Sequence, residues 1–194
     1  MRPDNRRPAH DAEPTDRELV EQVRRGDREA FGRLVSRHIA RAHALAVRVL
    51  HQRDDADDLV QDAFLAALEH LEAFDVSRPF WPWLARIIAN RGLDIASSRA
   101  VRYTESLPDD LIDSRSGTPL DGAVRREIIE RFRRELALLP PRQQLIIQLV
   151  ELDGYDVAEI AGMLSLSPST VRWHVHAARQ RLRDALSPLR DGGP

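Results

Sequence analysis

"DGYDVAEIAGMLSLSPSTVRWHVHAARQRL", residues 153–182, decides the fold of this chain. Gly154 is placed to close one helix and Asp156 to cap the next. Glu159, three residues on, completes a reciprocal capping box. Ser165-Leu166-Ser167 reads as a tight turn. Ser167 then caps a final helix whose first position is Pro168, where a missing amide proton costs nothing. A short helix, a tight turn and a longer helix predict a helix-turn-helix.

The longer helix separates its faces. At helical spacing Val171, Val175, Ala178, Leu182 and Leu186 form one apolar stripe, the expected core side. Opposite lie Ser169, Arg172, Trp173, His176, Arg179 and Arg183. Residues 165–190 carry five arginines against one acid, whereas residues 139–164 carry four acids against one arginine. That polarity offers the last helix to phosphates and keeps the scaffold side away. Base-edge contacts come from the first turns of such a helix, which nominates Ser169, Arg172, Trp173 and His176. Thr170, His174 and Arg181 flank them, within reach of the DNA backbone. His174 and His176 are two apart and point to different sides, so a zinc site is rejected.

Upstream, "DDADDLVQDAFLAALEHLEAFD", residues 54–75, carries eight acids and no lysine or arginine. Val60, Phe64, Ala67, Leu68 and Leu71 fall on one helical stripe, expected to be buried. Asp54, Asp58, Asp62, Glu69 and Glu72 gather opposite, with Leu65 among them. A leucine on an acidic face fits a basic partner with an apolar notch, although lone exposed leucines are also ordinary. The carboxylates fan outward along the helix, which argues against a metal site.

Directly afterwards the sign reverses. Residues 76–103 hold five arginines and one acid, and "FWPW", residues 80–83, contains two of the three tryptophans. Pro79 and Pro82 suit the first turn of a helix running to about Arg99. On it Trp83, Ile87, Asn90 and Asp94 share a face, with Leu84 and Ile88 beside it. Trp83 and Leu84 are expected in the core. Trp81 lies well round the helix, open to two readings: packing, or stacking on an unpaired base, worth about 1–3 kcal/mol per base. Asn90 and Arg91, with the loop "FDVSRP", offer polar groups to the edge of an extruded base.

The predicted architecture is all-α: two small helical domains joined by an acidic flexible linker. A disordered tail (1–14) precedes a first domain (15–103). A linker (104–121), with five acids against one arginine, leads to a second domain (122–190) carrying the helix-turn-helix. "TDRE", Thr15 to Glu18, is a further capping box, and Gly26-Asp27 separates the first two helices. The third helix is expected to run from Asp54 to near Phe74.

At 194 residues, 31% charged and net −2, the composition predicts a soluble, cytoplasmic protein. With no cysteine there are no disulfides, thiolate chemistry or cysteine zinc sites. No apolar run approaches the ~20 residues that span a bilayer, and no secretory signal opens the chain. No phosphate-binding glycine loop or nucleophile–base arrangement is present, so neither an enzyme nor a cofactor is expected.

Taken in order, three stretches resemble bacterial RNA polymerase sigma factors of the extracytoplasmic-function class. "DADDLVQDAFLAALEHL" (55–71) is similar to the family's core-polymerase-binding segment. "FWPWLARIIANRGLD" (80–94) resembles its promoter-melting, minus-ten-reading segment, and residues 136–182 its minus-thirty-five-reading domain. The resemblance implies that Asp58, Gln61, Asp62 and Leu65 dock on the clamp helices of the largest polymerase subunit, with a further contact to the flap. It implies minus-ten roles for Trp81, Arg86, Asn90 and Arg91, and DNA contacts by Ser169, Thr170, Arg172, Trp173, His176 and Arg179. Implied partners are core RNA polymerase, promoter DNA and an anti-sigma factor in some members, with no membrane. Two departures bear on promoter sequence: serines between Asp94 and Arg99, and the large Trp173 and His176 on the reading helix. A stand-alone helix-turn-helix regulator is the competing reading; it leaves the acidic helix and the aromatic segment unused.

Overall fold

Eight α-helices, one 3-10 turn and no strand occur among the described residues of the computed structural model, 13–100 and 119–191. Most of the expected tail and linker lies outside them. α1 (Asp16–Arg24) carries the Thr15–Glu18 capping box, and α2 (Arg28–Leu50) is capped by Asp27, which accepts from the amides of Glu29 and Ala30. Between them Gly26 adopts φ 97°, a left-handed turn that glycine makes without strain. α3 (Arg53–Glu69) and α4 (Phe80–Ala100) complete the first domain.

The acidic helix stops earlier than its periodicity predicts. It ends at Glu69, and Leu71–Ala73 form a separate 3-10 turn. The cause lies on α1. The Arg24 guanidinium donates to the carbonyls of Leu71 (2.8 Å), Glu72 (3.2 Å) and Phe74. Three carbonyls of the turn thus share one cationic donor.

α2 is the spine, with α1, α3 and α4 packed around it. Ala42, Ala46, Ala56, Ala63, Ala85 and Ala89 are buried, and small side chains let helices approach closely. Gly92 is the tightest point. A Cβ there would lie 2.7 Å from Val49 Cγ1 and 3.0 Å from Leu59 Cδ2, so α4 can sit this near α2 and α3 only with glycine.

The second domain comprises α5 (Pro119–Ala137), α6 (Pro141–Glu151), α7 (Val157–Leu164) and α8 (Pro168–Asp191). Val171, Val175, Ala178 and Leu182 of α8 are buried as their spacing predicts; Leu186 is half-buried. They belong to the same core as Leu145, Ile146 and Leu149 of α6 and Ile160 and Met163 of α7. Each large apolar side chain so buried contributes about 1.5–3 kcal/mol.

The two domains are docked. α7 packs on α4, α6 touches α2 and α4, and the buried apolar side chains form one cluster through both halves.

Candidate functional site

The helix-turn-helix is built as its sequence dictates. Asp156 accepts from the Glu159 amide (2.8 Å), while Glu159 accepts from the Asp156 amide (2.9 Å). Ser165 ends α7 with φ 55°, a left-handed position unusual for a residue with a side chain. Ser167 Oγ then accepts from the Thr170 amide (3.1 Å) and hydrogen-bonds the hydroxyls of Ser169 (2.7 Å) and Thr170 (2.8 Å). Two nominated DNA contacts therefore share their hydroxyls with the cap.

Arg172, Trp173 and His176 project from the exposed face of α8, Trp173 with 60% of its surface open. Arg179, by contrast, reaches back to α6, where its guanidinium meets Glu151 at 2.6 Å. His174 is half-buried; burial, reinforced by Arg142, pushes its imidazole below the ordinary range, while His176 is exposed. The two imidazoles face different surroundings.

Asp58, Gln61, Asp62 and Leu65 lie together on the outer face of α3, all exposed. Neither Asp58 nor Asp62 forms an ion pair among the described residues. Leu65 is 52% exposed, and Leu68 joins it at 43%, which corrects the expected stripe. The buried side is centred on Ala56, Leu59, Val60, Ala63 and Ala67. At about 100° per residue Leu68 falls some 120° from that centre, beside Gln61. The face thus pairs two leucines with flanking carboxylates.

On the aromatic segment the expected order of burial is inverted. Trp81 retains only 7% exposure, whereas Trp83 is half-buried; Leu84 is fully buried as expected. The Trp81 ring lies stacked beside His38 (centroids 6.1 Å apart), with the Arg41 guanidinium 4.2 Å over it. Its indole N–H is buried without a hydrogen-bond partner among the described residues. Trp83 packs on Phe74 and Phe80. Arg86 and Asn90 are exposed, and Arg91 donates to the Asp62 carbonyl at 3.2 Å, joining the basic segment to the acidic face. The loop before α4 folds on itself, Asp75 accepting from the amide and hydroxyl of Ser77. Asn90 stands about 15 Å farther along the helix, so the loop and Asn90 do not meet in one pocket.

Two features escaped the sequence reading. The first is the seam between domains. Arg48 grips Asp153 through two nitrogens (3.0 and 3.1 Å), and Arg41 Nε donates to the Tyr155 hydroxyl at 2.9 Å. The second is an apolar groove of about 400 Å³ between α5, α6 and α8, lined by Phe132, Leu136, Ile147, Leu152 and Leu182. Gln148 lines it too, 2% exposed, both its amide atoms lacking partners among the described residues. A lone glutamine inside "LIIQLV" was the available signal.

The chain matches the family models for sigma-70 region 2 over residues 34–102 and sigma-70 region 4 over residues 129–182. It is 32% identical over 180 residues to the ECF RNA polymerase sigma factor SigM of Mycobacterium tuberculosis, covering 93% of this chain and 89% of that one. Against the ECF RNA polymerase sigma factor SigW of Bacillus subtilis identity is 28% over 186 residues, covering 88% and 96%. Among solved structures, CnrH in complex with the cytosolic domain of CnrY is similar at 33% identity and TM-score 0.61, covering 89% of this chain and 97% of that one. The sigma factor RpoE bound to the anti-sigma factor NepR, from Bartonella quintana, shares the fold at 21% identity and TM-score 0.58, covering 81% and 96%.

Proposed function

The chain belongs to the ECF RNA polymerase sigma factors, transcription initiation factors, and from that premise we propose how its surfaces divide the work. The outer face of α3 docks core RNA polymerase. Asp58 and Asp62 supply the charge that selects a basic surface, and Leu65 the apolar contact that holds it. The groove holding Gln148 takes a second polymerase element, the flap, whose polar group meets the unpaired amide.

Arg172, Trp173 and His176 read the minus-thirty-five element from the major groove, with Ser169 and Thr170 at the phosphates. Arg86, Asn90 and Arg91 line the minus-ten groove along α4, and Trp81 supports it. Melting draws on captured bases and polymerase contacts, without nucleotide hydrolysis and without catalysis by this chain. Such a factor works in the cytoplasm, on promoter DNA, and is open to capture by an anti-sigma protein.

One observation carries this reading: a carboxylate-and-leucine face and a reading helix stand on one chain in region 2–region 4 order. Transcription with core polymerase in vitro, followed by start-site mapping, tests it. Initiation at discrete promoters is expected, and promoter-specific starts no different from those of core polymerase alone would overturn it. A helix-turn-helix regulator would instead bind an operator tightly without polymerase, and would have no use for α3.

A further inference from the structure

Trp173, the sixth residue of α8, keeps 60% of its surface open and takes no part in the buried apolar cluster. Its ring meets that of His174 edge-on, the centroids 4.9 Å apart. The imidazole is itself half-buried, so the indole is braced on one side. Ser169 and Ala177, four residues before and after, share its face of the helix, and both are small. The indole therefore projects beyond them, between the exposed Arg172 and His176.

The chemistry of an indole narrows what it can read. It offers a broad apolar surface and one N–H donor, and it accepts no hydrogen bond. In a duplex the bases stay stacked, so only their edges in the major groove are within reach. Guanine presents two acceptors there, and cytosine an amino donor. Adenine presents an acceptor beside an amino donor, and thymine an acceptor, O4, beside its C5-methyl group. Thymine alone thus offers an apolar group together with an acceptor. Cytosine would set donor against donor, and the two acceptors of guanine suit a charged fork such as Arg172. A phosphate contact fits poorly, because an uncharged ring neutralises nothing.

We propose that Trp173 is a specificity-determining residue of the reading helix, selecting thymine at one position of the minus-thirty-five element by covering its methyl group. The inference rests on the minus-thirty-five reading above and adds to it the base recognised. The N–H is left to O4, an atom that uracil shares, so the methyl group is the part of thymine that the ring distinguishes. His174 limits the swing of the ring, which confines the contact to one position.

The test uses holoenzyme reconstituted with the full chain, as parent, Trp173→Ala and Trp173→Phe. Competition binding with a duplex randomised in the minus-thirty-five element comes first. The parent is expected to enrich thymine at a position where Trp173→Ala shows no preference. Trp173→Phe, apolar but without the N–H, should keep that enrichment. Deoxyuridine is then placed at the same position, still paired with adenine. It should weaken binding of the parent about fourfold, the worth of one buried carbon, and leave Trp173→Ala indifferent between the two bases. Each ratio is taken within one protein, so a general loss of folding or affinity cancels. Thymine and uracil bound equally by the parent would overturn the proposal. So would survival of every thymine preference in Trp173→Ala, or its loss in Trp173→Phe. If the parent selects a sequence in this element without these signatures, the minus-thirty-five reading stands and only the role of Trp173 falls; if it selects none, both fall.

Discussion

Arg99, near the end of α4, grips the carboxylate of Asp55, in the first turn of α3, through both terminal guanidinium nitrogens. The pair sits where each helix dipole favours it, an acid at an N-terminus and a base at a C-terminus. It also joins one acid of the acidic stretch to one arginine of the basic segment. The hydrogen bonds from Arg99 hold Asp55 below the usual carboxylate range, and its depressed pKa means stability present above the unfolded value and lost as pH falls through the folded one. Asp55→Asn is therefore expected to destabilise the fold by about 0.2–1 kcal/mol at neutral pH, modest because the pair is partly exposed. Melting curves for both proteins should begin to converge as pH falls below about 4 and meet once it is below the lowered folded pKa. A gap that persists there would assign the loss to something other than charge.

The outer face of α3 makes the next prediction. Asp58→Arg with Asp62→Arg should abolish binding to core polymerase, because like charges then face a basic partner. The fold should survive, since both carboxylates are exposed and unpaired among the described residues. Leu65→Ala with Leu68→Ala should weaken binding by about 2 kcal/mol, near thirtyfold, if the leucines fill a notch. Co-purification and circular dichroism check both outcomes, and unchanged affinity in either variant would remove that face from the interface.

Gly92 gives a stability prediction with no direct binding component. An added methyl must displace Val49 and Leu59, and overpacking of this kind costs about 1–3 kcal/mol. For a chain of this length the melting temperature of Gly92→Ala should fall by roughly 2–4 °C per kcal/mol. An unchanged melting temperature would mean that α2 and α4 separate easily.

The fold was largely legible because its signals are local. Capping boxes at Thr15 and Asp156, the Ser167 cap and the stripe on α8 all depend on residues within one or two turns. What escaped depends on partners far along the chain. Nothing near Glu69 says that Arg24, more than forty residues earlier, will take the carbonyls after it. Leu68 misled because a leucine beside Phe64 satisfies the same period whether or not a neighbouring helix covers it. Trp81 misled because Arg41, His38 and Phe80 converge only in three dimensions. The exposure of Asp58, Gln61, Asp62 and Leu65 followed from the period of α3 alone, whereas the attachment of Arg179 to Glu151 did not.

Arg172 and Trp173 bear on DNA reading. Arg172→Ala should weaken promoter binding by about 1–3 kcal/mol and relax preference at one upstream position. Replacing Arg181 instead should weaken all sequences alike and flatten the salt dependence, as expected of a phosphate contact. Competition binding with a randomised upstream element distinguishes them. Equal losses on every sequence for Arg172→Ala would make it a phosphate contact too.

His51 predicts a pH response at the domain seam. Burial, the largest influence, lowers its pKa; Arg48 acts in the same direction, and the hydrogen bond with Gln144 opposes both. Above about pH 7.5 the imidazole is neutral in docked and undocked forms alike, so it adds no pH dependence there. Below that, the undocked form takes up a proton that the buried ring resists, and docking weakens until the lower, folded pKa is passed. His174, lowered by burial and by Arg142, acts with the same sign in the second domain. His51→Gln should therefore reduce the fall in melting temperature between about pH 7.5 and about pH 5.5, and His174→Gln should remove a separate share. Carboxylates such as Asp55 titrate well below this window, and the other five histidines are common to every protein compared, so each difference reports the ring removed. If His51→Gln melts with the same pH slope as the parent chain, the ring is already solvated in solution and the seam at the end of α2 is open.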